Sequence, residues 1–100
     1  MPASLSNALD TLRYHQAELR RLGVSHAAIF GSVARGEAVE SSDIDVLLEL
    51  DPRFPLGLFE YSRLKLRIAE MLGGSVDVVN RKTLKPLLKQ AVLADAVNAF

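Results

Sequence analysis

Residues Asp43 to Leu50 read Asp-Ile-Asp-Val-Leu-Leu-Glu-Leu, and this run narrows what the chain can fold into more than any other stretch. Successive side chains of a strand point to opposite faces. Ile44, Val46, Leu48 and Leu50 therefore share one face, and Asp43, Asp45, Leu47 and Glu49 the other. The first face is apolar throughout and has to be covered. The second opens with two carboxylates one residue apart. Asp51-Pro52 and Pro55 end the run.

The flanking segments supply the cover. Leu5, Leu9, Leu12, Leu19 and Leu22 recur at helical intervals and predict one helix over residues 4–22, with Ser4 as N-cap and Gly23 after its end. Val24 to Phe30 reads as a short strand. Gly31 to Glu37 is expected to form a short helix opened by Gly31-Ser32, followed by a loop at Glu40-Ser41-Ser42. Gly57 to Leu72 predicts a second long helix whose apolar side holds Leu58, Tyr61, Leu64, Ile68, Met71 and Leu72; Gly73-Gly74 stops it. Val76 to Val79 is a four-residue strand with Asp77 and Val79 on one side. A last helix is expected from about Thr83 to the end, Pro86 in its first turn and Leu84, Leu87, Leu88, Ala91 and Ala94 inward. The order predicts an α/β (α+β) fold, a small sheet with helices packed on it, as one domain over residues 1–100.

Composition sets outer bounds. The chain has 12 basic and 12 acidic residues, so it lacks the basic excess of a protein that coats nucleic acid. No cysteine is present, which removes disulfides and thiolate metal sites. No apolar run is long enough to span a membrane, and Met1-Pro2-Ala3-Ser4 does not read as the start of a signal peptide. A cytoplasmic location is the default expectation.

Asp43 and Asp45 project side by side from one strand face, and two such anions repel unless a cation joins them. Their hard oxygens suit Mg²⁺ or Mn²⁺, which keep waters and bind substrate phosphates as well. A solvated pair on a half-exposed strand is the plainer alternative. Gly31 lets the backbone approach a ligand closely, and Ser32 stands at a helix N-terminus suited to phosphate; an ordinary capped turn would look the same. Together, Gly-Ser and Asp-x-Asp ten residues later form a spaced signature between two strands. Arg35, inside the spacer, either contacts phosphate or fixes the loop by pairing with Glu37 or Glu40.

The segment Gly-Ser-Val-Ala-Arg-Gly-Glu-Ala-Val-Glu-Ser-Ser-Asp-Ile-Asp resembles the signature of the DNA-polymerase-beta-type nucleotidyltransferase superfamily. Within it, the chain is most similar to the minimal nucleotidyltransferases, the MntA-like antitoxins paired with HEPN-domain toxins. The resemblance implies a polymerase-beta-like nucleotidyltransferase fold and a third carboxylate on a later strand, a place that Asp77 fills. It further implies two Mg²⁺ ions on Asp43, Asp45 and Asp77, ATP held by Gly31 and Ser32, and Asp77 as a possible general base. AMP would then pass to a tyrosine hydroxyl of a HEPN ribonuclease toxin and silence it. The short length leaves no room for an acceptor domain, which fits an acceptor borrowed from a partner protein. Neutralisation by binding alone, or transfer to a small molecule, are the competing functions.

The remaining suggestive residues receive plain readings. Arg63 and Arg67 are expected on a solvated helix face, with a partner contact as the alternative, His26 as a packed histidine, and Arg81, Lys82, Lys85 and Lys89 as ordinary charge flanking a helix start, with an acidic partner or the nucleotide as the alternative. Phe54 and Leu56 are expected in an exposed apolar loop.

Overall fold

A computed structural model describes residues 4–100; Met1-Pro2-Ala3, on which the reading of the chain's start rests, lies outside them. Its described elements are helices α1 (Leu5–Tyr14), α2 (Gln16–Arg21), α3 (Gly31–Arg35), α4 (Leu58–Leu72) and α5 (Pro86–Asp95), with strands β1 (Val24–Phe30), β2 (Ile44–Leu50), β3 (Val76–Asn80) and β4 (Val97–Asn98). The strands form one mixed sheet in the order β3-β2-β1-β4. β1 runs antiparallel to β2 and to β4, and β2 runs parallel to β3. The parallel step is the one joined by a long helix, α4, because a parallel pair needs a crossover.

The alternation in β2 holds. Ile44, Val46 and Leu48 are buried with Ala27 and Ile29 of β1, Val78 of β3, Leu12 of α1, Leu19 of α2, and Leu64 and Ile68 of α4. The opposite face carries Phe30 and Asp45 as register partners, then Ala28 with Leu47, and His26 with Glu49. β3 continues that face with Asp77 beside Asp45 and Val79 beside Leu47.

Several expectations are corrected. The first helix is two: the backbone at His15 leaves helical geometry (φ −95°, ψ 13°). Ties on either side of that break explain it. Arg13 donates to the carbonyls of Ala99 (2.8 Å) and Asn98 (3.1 Å), while Glu18 of α2 accepts both Arg67 donors, at 2.6 and 3.0 Å. Arg67 is thus a structural link between α2 and α4 and not part of a solvated face. Leu22 and His26 are exposed, His26 because it lies on the side of β1 away from the core. Leu58 is 80% exposed, since it begins α4 beyond the reach of the sheet. Leu56 is only half exposed and packs on the core.

The largest correction lies at the end of the chain. The last helix stops at Asp95, is preceded by a 3₁₀ turn at Arg81–Thr83, and is followed by β4, which pairs Val97 and Asn98 with Ile29 and Ala28. Leu87, Leu88, Ala91 and Ala94 face solvent, and α5 contains no buried residue. Its half-buried positions are Lys89, Val92 and Asp95, one helical turn apart. The apolar stripe in the sequence is real, but the short segment back to β4 turns it outward.

Candidate active site

The site forms where the C-terminal end of β1 meets the N-terminal ends of β2 and β3. Gly31 follows β1 directly, with φ +73°, a conformation that suits glycine. A side chain built there would collide with the Asp45 carboxylate, so the missing Cβ lets the start of α3 rest against that carboxylate. Ser32 occupies the first turn of α3, where backbone N–H groups lack helical partners, and Gly36, at φ +75°, closes the helix in the left-handed region.

The loop from α3 to β2 is pinned before the first carboxylate. The Ser42 hydroxyl accepts from the Val39 N–H at 3.0 Å, and the Ser42 N–H donates to the Val39 carbonyl at 2.9 Å. Asp43 follows, exposed, just ahead of β2 rather than inside it. Ile44 then donates to the Ser75 carbonyl at 2.9 Å, setting the register that places Asp45 beside Asp77.

Asp45 is half-buried and its carboxyl is pushed above the usual range. Burial is the main cause; the charges of Asp77 and then Asp43 add to it, and Arg35 opposes them. Three carboxylates therefore share one field, and a cation would relieve it. Among the described residues, no three His, Cys, Asp or Glu side chains converge into a ready-made metal cage. The donors present fit a hard cation held by one or two carboxylates and completed by substrate phosphates, which is how Mg²⁺ usually binds.

Arg35 lies at the end of α3. It donates to Glu37 at 3.1 Å and to Asp95 of α5 at 2.6 Å. Both carboxylates hold its guanidinium above the ordinary range, Glu37 contributing first. Loop-fixing is therefore its role in this structure, with Asp95 as the unexpected partner. Tyr61 of α4 is a second residue that sequence reasoning left in the core. It is half-buried, and burial followed by the Asp77 charge raises its phenol. Neither neighbour is readable from spacing, because each depends on how a separate helix is placed.

A groove of about 820 Å³ lies elsewhere, at the opposite end of the sheet, lined by His26, Glu49, Phe54, Leu56, Arg81 and Lys89 among others. It does not include Asp43, Asp45 or Asp77.

Comparison with known proteins agrees with this geometry. The family model for the nucleotidyltransferase domain matches residues 12–98. The chain is 38% identical over 95 residues to the protein adenylyltransferase MntA of Thermococcus cleftensis, covering 94% of each. It superposes with a TM-score of 0.77 and 38% identity on a chain solved as a minimal nucleotidyltransferase, covering 95% of each. It also matches in fold a chain from the complex of tri-AMPylated Shewanella oneidensis HEPN toxin with MNT antitoxin. There the TM-score is 0.64 at 19% identity, over 92% of this chain and 71% of that one.

Proposed function

The chain belongs to the nucleotidyltransferase domain family and has its polymerase-beta-like fold, and from that premise we propose that it transfers AMP from ATP to a tyrosine hydroxyl of a HEPN ribonuclease partner, acting as its antitoxin. The observation that carries this reading is the packing of Gly31 against Asp45, with Asp77 in register beside it. A glycine-led helix start and a carboxylate cluster are thereby brought to one sheet end, as transfer from a nucleoside triphosphate requires. The protein name of the Thermococcus relative and the AMPylated toxin in the Shewanella complex support the choice of AMP and of a protein acceptor.

In this reading Gly31 and Ser32 hold the triphosphate against the start of α3. Arg35, within reach of the field at Asp45, exchanges a carboxylate partner for phosphate. Asp43, Asp45 and Asp77 would hold Mg²⁺ or Mn²⁺, which would supply neutralisation of phosphate charge and a lowered pKa for the attacking hydroxyl. The acceptor oxygen forms a bond to the α-phosphorus as the bond from that phosphorus to the β-phosphate oxygen breaks. Pyrophosphate leaves with the electron pair, and the hydroxyl proton passes to Asp77. No covalent intermediate with this chain is needed; positioning and charge neutralisation carry the reaction.

The test uses α-labelled ATP, Mg²⁺, this chain and the product of the neighbouring gene. Label on a partner tyrosine is expected, with Asp45→Asn and Asp43→Asn each lowering transfer at least a hundredfold while melting as folded proteins. Loss of ribonuclease activity without label would show that binding alone neutralises the partner, and label only on a small molecule would reject the protein acceptor.

A further inference from the structure

Resting on the reading that the acceptor is a partner protein, we propose that the outward face of α5 is where that partner docks, and that the segment it presents is an acidic amphipathic helix. Helix α5 has ten residues and none is buried. Leu87 is 84% exposed, and Leu88 and Leu93 are exposed with it. A groove of about 510 Å³ runs along the helix between Leu84, Leu87, Leu93 and Lys89. A stripe of leucines with a groove beside it suits the apolar face of a second helix.

Charge selects the kind of helix. From Lys82 to Ala94 the chain contains no acidic residue, although its net charge is zero. Lys82, Lys85 and Lys89 form no ion pair among the described residues, whereas Arg81 is paired with Glu49 at 3.0 Å. Two exposed ammonium groups, Lys82 and Lys85, lead into the leucine stripe, with Lys89 on the half-buried side of the helix, and complementary charge on a partner steers and orients association. A second exposed apolar patch, with Leu58, Phe59 and Leu66 on α4, is interrupted by both signs of charge at Glu60, Arg63, Lys65 and Glu70, and selects no partner of one sign.

Position supports the same surface. Asp95, at the end of α5, accepts from Arg35 at 2.6 Å and so ties this helix to α3, which begins with Gly31 and Ser32. A protein seated along α5 spans from Lys82 and Lys89, which line the groove at the far end of the sheet, to the Asp95–Arg35 tie beside α3.

The experiment measures binding of the partner used in the test above by calorimetry, and labelling from α-labelled ATP at limiting partner. Leu87→Asp with Leu88→Asp is expected to weaken binding at least tenfold and to lower labelling in proportion. The thermal melt should stay unchanged, because both side chains already face water. Lys82→Glu with Lys85→Glu should weaken binding most at low salt. Leu58→Asp with Phe59→Asp, on α4, should bind as the unaltered chain does. Equal binding by the α5 variants, or loss only in the α4 variant, overturns the docking surface while leaving transfer in place. Binding through α5 without any label keeps the surface and rejects the adenylyl acceptor reading, and no complex with the unaltered chain overturns both.

Discussion

The two faces of the sheet are built from the same strands and do opposite things. One is sealed: Ile44, Val46, Leu48 and Ile29 lie under α1, α2 and α4, with Leu12, Leu19 and Ile68 fully buried among them. The other is left partly open. Ala28 and Leu47 are buried in its middle beside α5, while Asp77 is exposed and Asp45 and Glu49 are half-buried at its two ends. A strand of period two can serve both because its residues alternate, so stability and chemistry are written into one segment without competing for positions. The lesson is that the open face need not be well packed. Its helix lies beside the buried Ala28 and Leu47 while its own leucines stay exposed.

Breaking the sealed face should cost the most stability. Ile68→Ala removes a side chain with no exposed surface, and the expected loss is about 2–5 kcal/mol in denaturant unfolding. A loss near zero would mean that α4 is not the main cover of the core. Gly31→Ala, at the join between the faces, should cost about 1–3 kcal/mol for the left-handed backbone. The added methyl would also displace Asp45, so transfer should fall far more than stability does. Activity kept in that variant would separate the glycine from the carboxylate.

Asp45→Asn sharpens the contrast in the other direction. The folded carboxyl titrates above its ordinary value, so its stabilising contribution is present below the unfolded pKa and is lost as pH rises through the folded one. At neutral pH the charged Asp45 therefore works against the fold, and the Asn variant should melt higher than the unaltered chain. The difference should close as pH falls below the ordinary carboxylate range, and Mg²⁺ should narrow it at neutral pH by stabilising only the carboxylate form. A variant that melts lower at neutral pH would show that burial and the neighbouring carboxylates do not disfavour the charged Asp45. The smallest effect belongs to α5: Leu87→Ala should change stability by no more than about 0.5 kcal/mol, because nothing is packed on it.

Much of this was legible in the chain itself. The alternation of β2 determined which residues face the core, and the Gly31-Ser32 and Asp43-Ile44-Asp45 runs determined where a phosphate and cation site would have to be, because both depend on neighbours in sequence. Resemblance over the same residues pointed to the fold and to Asp77. Local signals also placed α4 and the ends of β1 and β3 to within a residue or two. The break at His15, the strand at Val97–Asn98 and the outward turn of α5 were decided by tertiary contacts instead. Arg13 reaches the last carbonyls of the chain across more than eighty residues, and Asp95 finds Arg35 across sixty. A helical period tells that a stripe of leucines exists; only the position of the next strand tells which way it faces. The sequence by itself determined that Gly31, Ser32, Asp43 and Asp45 would meet at one end of the sheet, since they flank two successive strands, while Asp77 came beside Asp45 only through the β2–β3 register. The tertiary structure alone decided that the second face would be left open and α5 exposed beside it, since that depends on how distant segments share a limited core.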